Sequence, residues 1–455
     1  MDEVLWVETT QTSQWQSKRT VAEPLTPAHK WDVEVQLEQP LQTIDGFGAC
    51  FNELGWISLC ELQEEDQQAI LHDLFAPGAG ANFTICRTPI GANDFSRDWY
   101  SYDETPDDLG LKNFNIANDL DTLVPFIKDA LQYQPKLKIW ASPWSPPTWM
   151  KYNRHYAGEL SEPDMPPNGL KPEQQVEEGT DQFIQEERYF RSYAAYFSRF
   201  VQEYARWGIK IDMVMPQNEF NSPQPFPSCS WTSEGLAKFI AFLGPEMERF
   251  NVDVFFGTME RPNEKLVDVA LLDPEAGKYI KGAGFQWAGR RAIVGIHRRY
   301  PDLKLHQTEQ ECGDGKNDWR YCRYAWTLSK RFFENGVSAY QYWNIALNKD
   351  ARSRWGWAQN SLVTIDPAAR TYQYNYEYYL LKHFSHFVNP GARRLDTFTL
   401  TGHDNSLAFV NPDRTVVILM QNDLCQELPV RIKVAGKVIG AVLEADSFNT
   451  LVVQP

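Results

Sequence analysis

The sequence predicts an α/β protein: a (β/α)8 (TIM) barrel with an accessory antiparallel β-sandwich domain built from both chain termini. Three observations lead there. Short apolar runs alternate with segments of helical periodicity through the middle of the chain. Eight such runs occur, the number that closes a parallel barrel. Beyond residue 389 the texture changes to short strands separated by turn signals, and the first 35 residues read the same way.

At the N-terminus, VLWVETT and WDVEVQLEQ are strand-like but precede the first barrel run, so residues 1–35 are expected to join the C-terminal sandwich. The barrel, residues 36–388, begins with QTIDGFGACF (42–51). The helical EEDQQAILHDLF comes next, then NFTICRTPIG (82–91), the helical DLDTLVPFIKDALQY, and KLKIWASPW (136–144). RYFRSYAAYFSRFVQEYARWG leads into the fourth run, KIDMVMPQNE (210–219). The next helical stretch, TSEGLAKFIAFLGPEMERF, has Thr232 or Ser233 suited to its N-cap and Glu234 in its first turn. The fifth to seventh runs are VDVFFGTME (252–260), YIKGAGFQW (279–287) and LKLHQTEQ (303–310). CRYAWTLSKRFFENG separates these from VSAYQYWNIAL (337–347), and YNYEYYLLKHFSHFV closes the series. Nearly continuous apolar runs suit a parallel sheet covered on both faces. From 389 to 455, ARRLDTFTL, SLAFVNP, TVVILMQND, LPVRIKVAG and VIGAVLEADSFNTLVVQ supply the remaining sandwich strands.

Of 455 residues, 43% are hydrophobic and 14% aromatic, ample for a packed core. Sixteen tryptophans and twenty tyrosines suit stacking on sugars and a large core alike. A net charge of −16, with no basic stripe, argues against nucleic-acid partners and anionic membranes. No run approaches the ~18 apolar residues of a membrane span. MDEVLWVETT lacks a basic leader and a long apolar stretch, so no signal peptide is expected; the chain is cytoplasmic, or exported with its leader removed. Seven cysteines without a C-x-x-C pair read as mostly reduced, buried thiols. HFSH (383–386) reads as helix surface rather than a metal pair, and no metal or organic cofactor is expected. The sequence sets no oligomeric state.

MPQNEF (215–220) ends an apolar run on Asn218 and Glu219. A carboxylate is costly to bury, but the C-terminal ends of barrel strands are where such folds keep their chemistry. Glu309, in LKLHQTEQECG, stands in the same setting on the seventh run. Glutamates on strands four and seven can face each other across the barrel mouth. A facing pair is what glycoside hydrolysis needs, with retention at about 5 Å and inversion at wider separation. Glu311 rivals Glu309, because positions i and i+2 share a strand face.

TIDGFGACFNELGW, RTPIGANDFSRDWYSYDETPDD (87–108), ASPWSPPTWMKYN (141–153), QNEF, TEQECG and YQYWNIALN occur in that order. Together they resemble glycoside hydrolase family 30, the glucosylceramidase-like group of clan A retaining β-glycosidases. The resemblance runs from about residue 42 to 360 and implies the same fold, a barrel with a side sandwich. It also implies roles. Glu219 would be the acid/base and Glu309 the nucleophile. Asn218 would bond the sugar 2-hydroxyl. Asp94 and Trp144 would hold the outer hydroxyls and one ring edge, and Trp343 would form a stacking floor. Asn360, in WGWAQN, would add a polar contact. Arg87 would lie beside Glu309 and help keep it ionised.

Two departures bear on substrate. Phe220 stands after Asn-Glu where many relatives have proline. Gln286, Trp287 and Ala288 stand where lipid-active members show His-Trp-Tyr, so Gln286 and Trp287 should shape the acid/base surroundings and the aglycone side. The insertion GELSEPDMPPNGLKPEQQVEEG (158–179) could wall one side of the pocket and favour exo action. The expected activity is an exo-acting retaining β-glycosidase on a terminal β-glucoside. β-Fucoside, β-xyloside and β-galactoside are alternatives in the same family, as is an endo-acting xylanase or glucanase. A non-catalytic carbohydrate-binding barrel is the remote alternative.

Overall fold

The computed structural model describes residues 2–350 and 352–454. Eight strands run in parallel: Gly46–Cys50, Ile85–Pro89, Lys138–Ser142, Met213–Val214, Asp253–Met259, Ile280–Gln286, Lys304–Glu309 and Val337–Asn348. Each pairs with the next, and the eighth pairs with the first to close the ring. Almost every residue of these strands is buried, because helices cover the outside and side chains fill the inside. Ile85, Trp140, Met213, Met215, Phe255 and Ala339 form a cluster of their own. On the sixth strand a Cβ at Gly284 would stand 2.5 Å from Met215 Sδ and 2.6 Å from Thr308 Cγ2. The side chains of Met215, just past the fourth strand, and Thr308 of the seventh occupy that space instead.

The fourth strand differs from expectation. Its ladder spans only Met213–Val214, not 210–219. Beyond it the chain arcs between its neighbours. The Asn218 N–H donates to Pro143 O at 2.8 Å, and the Thr258 N–H donates to Gln217 O at 2.6 Å. Glu219 then adopts the left-handed region, φ +46°, a conformation costing roughly 1–2 kcal/mol for a residue with a Cβ. Its N–H is held by Thr258 Oγ1 at 2.9 Å.

Helices Glu64–Phe75, Leu123–Tyr133, Glu187–Arg206, Ser233–Glu248, Trp319–Glu334 and Tyr376–Ser385 fall in the expected stretches. Thr232 is the N-cap, accepting from the Gly235 N–H at 2.9 Å. Two short helices, Lys265–Leu272 and Ile293–Arg299, complete the fifth and sixth units. They span too few turns for periodicity to stand out. A hairpin, Ser361–Asp366 with Thr371–Tyr374, extends the sheet outside the ring.

The accessory domain takes Asp2–Thr10, Gln16–Pro24 and Val33–Thr43 from the N-terminal side. Arg393–Thr399, Ser406–Val410, Val416–Asn422, Leu428–Val434, Lys437–Leu443 and Ser447–Val453 come from the C-terminal side. Pairing runs round a closed circuit, antiparallel except between Val33–Thr43 and Leu428–Val434, so no edge is left open. Val33–Thr43 carries this sheet past the division at 35/36 read from the sequence. Thr43 still pairs with Arg393, and the chain enters the barrel only at Gly46.

Leu407, Phe409, Val417, Leu419 and Phe448 belong to the same apolar core as the barrel. The helix Tyr376–Ser385 lies between the two bodies, which corrects the surface reading of HFSH. His383 is buried, with its two ring nitrogens each 2.8 Å from a hydroxyl, those of Thr450 and Thr9. All seven cysteines are free thiols, of which Cys60 and Cys425 are exposed. Among the described residues no helix is long and apolar enough to cross a membrane.

Candidate active site

The C-terminal ends of the barrel strands enclose a cavity of about 440 Å³. Asp94, Trp144, Asn218, Glu219, Trp287 and Glu309 line it. Glu219 and Glu309, distant in sequence, meet at Gln286. The Gln286 Nε2 lies 3.1 Å from Glu219 Oε1, 3.2 Å from Glu309 Oε2 and 3.2 Å from Asn218 Oδ1. Two carboxylate oxygens so close to one nitrogen are at most about 6 Å apart, near the spacing of carboxylate pairs that flank a glycosidic bond. The Thr308 hydroxyl donates to Gln286 Oε1 at 2.9 Å, which turns the amide nitrogen toward the glutamates.

Arg87 is fully buried beneath this pair. It donates to Glu309 Oε2 at 2.9 Å, Asn218 Oδ1 at 2.8 Å and Ser142 Oγ at 2.8 Å. Its guanidinium lies 4.2 Å from the Trp144 ring centroid and 4.8 Å from that of Trp140. Trp287, also at positive φ (+46°), donates Nε1 to Glu309 Oε1 at 3.1 Å.

The two glutamates are electrostatically unlike. Burial pushes the Glu219 carboxyl well above the usual range, and the nearby charges of Glu260 and Glu309 push it further. Burial also raises Glu309, but Arg87, Trp287 and Gln286 oppose it by favouring the carboxylate. The cationic Arg87 and two neutral N–H donors, Gln286 and Trp287, therefore serve Glu309, while among the described residues Glu219 receives the amides of Gln286 and Gln224. Asp94 is raised to about 8, first by burial and then by Glu309, and its Oδ1 has no protein partner among the described residues.

The other expected residues divide between the cavity wall and the protein behind it. Trp343 is buried behind Trp144, ring centroids 5.4 Å apart, rather than lining the cavity. Asn360 is not at the cavity, which corrects its assignment as a substrate contact. Its Nδ2 donates to Glu377 Oε2 at 3.0 Å, and its Oδ1 accepts from the N–H groups of Gly315 and Asn317. Its neighbour Gln359 lines the cavity. Glu311 reaches the rim but is occupied by Arg290 and by the Tyr324 hydroxyl at 2.7 Å. Sequence reasoning missed Gln224, Phe226, Glu260 and Trp357, all on the cavity wall. A signal existed for Glu260, which ends the apolar run VDVFFGTME much as Glu219 and Glu309 end theirs.

Known proteins share both the sequence pattern and the fold. The family model described as the glycosyl hydrolase family 30 TIM-barrel domain matches residues 44–388. The lysosomal acid glucosylceramidase of Mus musculus is 27% identical over 425 residues, 88% of this chain and 78% of that protein. The endo-1,6-β-D-glucanase neg1 of Aspergillus fumigatus is 28% identical over 413 residues, 86% of this chain and 80% of that protein. The crystal structure of SrfJ from Salmonella typhimurium superposes with a TM-score of 0.87 at 24% identity, covering 100% of both chains.

Proposed function

This chain belongs to glycosyl hydrolase family 30 and is a glycoside hydrolase, and from that premise we propose that it is an exo-acting, retaining β-glycosidase whose first substrate is a β-glucoside. The observation that carries this reading is the single Gln286 amide that spans Glu219 and Glu309. A shared amide donor brings the two carboxylates together over one cavity, which supports one attacking an anomeric carbon while the other serves the leaving oxygen.

Glu309, backed by Arg87, is the nucleophile. It bonds to the anomeric carbon as the bond to the aglycone oxygen breaks, and Glu219 passes its proton to that oxygen. The glycosyl ester is then opened by water, whose proton goes to Glu219 while Glu309 leaves as a carboxylate. Ester formation removes the Glu309 charge, one of the negative neighbours that keep Glu219 protonated, so Glu219 turns from acid to base. Asn218 has its Oδ1 engaged by Arg87, Thr258 and Gln286, which presents its Nδ2 to the sugar 2-hydroxyl. Asp94 serves the outer hydroxyls as donor and acceptor, and Trp144 and Trp287 frame the ring.

β-Glucose is preferred because relatives of both kinds, the glucosylceramidases and the endo-1,6-β-glucanases, carry a glucosyl unit in their names. Exo action is supported by the insertion 158–179, which backs the cavity wall: the N–H groups of Gly158 and Glu159 donate to Gln224 O, and Asn168 Nδ2 donates to Pro225 O. Endo action on a β-1,6-glucan is the second reading, favoured by the relatives of that name. A panel of nitrophenyl β-glycosides beside a β-1,6-glucan separates them. The proposal expects fastest turnover of the glucoside and release of free glucose. Internal oligosaccharides from the glucan, with the small glycosides untouched, would establish the endo reading. Glu309→Gly should be inactive, with azide restoring turnover of an activated glycoside as the α-glycosyl azide. Equal loss and rescue in Glu311→Gly would move the nucleophile to that residue.

A further inference from the structure

Glu260 has no part in the two-glutamate scheme, yet it lines the same cavity and is only 6% exposed. It sits just beyond the fifth strand, two residues after Thr258, whose hydroxyl holds the Glu219 N–H. Its carboxylate is fastened at both oxygens. Oε1 accepts from the Ser222 hydroxyl, and Oε2 pairs with Arg261 Nη1 at 2.6 Å. Ser222 belongs to the turn that begins at Glu219, its N–H donating to Glu219 O at 3.0 Å. The arrangement therefore fixes a carboxylate beside Glu219 that its partners cannot let drift away.

Arg261 is shared. Its Nε and Nη2 reach Glu178 at 2.7 and 3.0 Å, a two-pronged contact with the last charged residue of the insertion 158–179. The insertion's terminal Gly179 donates its N–H to Asn221 O at 3.0 Å, on the same turn as Ser222. The Arg261 guanidinium is thus divided between Glu260 and Glu178.

We propose that Glu260 is a positioning residue for Glu219: a pinned negative neighbour that keeps the proton on the acid, with Arg261 and Glu178 making the strength of that charge depend on the insertion. This rests on the assignment of Glu219 as the acid/base. The groups that face Glu219 fit the proposal. Glu260 from the fifth strand end, Glu309 from the seventh and Asp94 from the loop after the second all favour protonation. The cations are engaged elsewhere: Arg87 on Glu309, Arg290 on Glu311, and Arg261 on Glu260 and Glu178. Among the charged neighbours of Glu219, Glu260 acts more strongly than Glu309. Burial raises the Glu260 carboxyl to about 7, Arg261 opposing and Glu178 and Glu309 adding to it, so its charge develops around that pH and is favoured further once Glu309 is neutral in the glycosyl ester. The proposed device limits how far Glu219 acidifies between the two steps.

The test is the alkaline limb of kcat/KM for a glycoside with a poor leaving group, which needs the acid. Glu219→Gln first identifies the limb: if the limb survives that change, the acid/base assignment itself fails. With the limb assigned, Glu260→Gln should move it down by about one pH unit, because a negative neighbour has gone. Glu260→Asp, which keeps the charge, should leave it near its original place. Glu178→Gln should move it up by less than that, since the negative charge that opposes ionisation of Glu260 has gone. An unmoved limb in Glu260→Gln, or activity lowered equally at all pH values, overturns the proposal. Should Glu260→Gln fold too poorly to assay, an unmoved limb in Glu178→Gln overturns it in the same way.

Discussion

Asn218 shows how much of this site is orientation. Three donors hold its amide oxygen, so its nitrogen faces the cavity without a protein partner among the described residues. Glu219 and Glu309 are alike in sequence setting and unlike in surroundings, and the difference predicts different mutant phenotypes. Glu219→Gln keeps the shape and the Gln286 contact but removes the transferable proton. It should lower kcat/KM by about 10²–10⁴-fold for natural glycosides and far less for aryl glycosides with good leaving groups. Equal losses on both substrate types would refute the acid role. The two glutamates are legible because each ends an apolar run, where an uncompensated charge needs a reason. Glu260 satisfies the same criterion, yet no family motif drew attention to it. Asn360 misleads because adjacency to WGWAQ says nothing about direction: its side chain turns into the protein toward Glu377, while Gln359 faces the cavity.

Among the elements, the sixth strand carries the most consequence for its size. IKGAGFQ is glycine-rich because Met215 and Thr308 take the interior space beside Gly284. Gly284→Ala would overpack that layer, at a cost of about 1–3 kcal/mol, and would press on Thr308, whose hydroxyl orients Gln286. A lowered urea midpoint together with a reduced kcat is the expected result; unchanged stability would show that the layer has slack. The fourth strand shows the limit of reading elements from hydropathy. KIDMVMPQNE is apolar to its end, but only two residues join the ladder. Residues 215–219 are buried by the backbones of adjacent segments rather than by strand pairing, and an apolar run looks the same in both cases.

Across the whole molecule, the accessory sheet and the barrel are joined through the helix Tyr376–Ser385, with His383 wedged between Thr9 and Thr450. Burial, with Lys382 and His386 nearby, lowers its pKa to about 3. The imidazole is therefore neutral when folded, whereas the unfolded chain takes up a proton below about 6.5. Stability from this group is complete above that pH and is lost as pH falls toward 3, at up to about 1.4 kcal/mol per pH unit. His383→Gln, which still offers a donor and an acceptor, should lower the melting temperature at pH 7 and flatten its decline toward pH 4.5. Parallel declines in wild type and variant would assign the acid sensitivity elsewhere.

By itself the sequence determined the α/β class, the eight-run barrel order, the accessory strands drawn from both termini, and the placing of Glu219 and Glu309 after the fourth and seventh apolar runs. These are local or periodic properties, written in runs of neighbouring residues. Only the tertiary structure decided that one Gln286 amide spans both glutamates, that Asn360 and Trp343 lie behind the cavity wall, and that Glu260 leans toward Glu219 with its partners shared by the insertion. Those facts depend on where side chains point once eight strands close a ring, and closure brings together residues whose separation along the chain carries no trace of the contact.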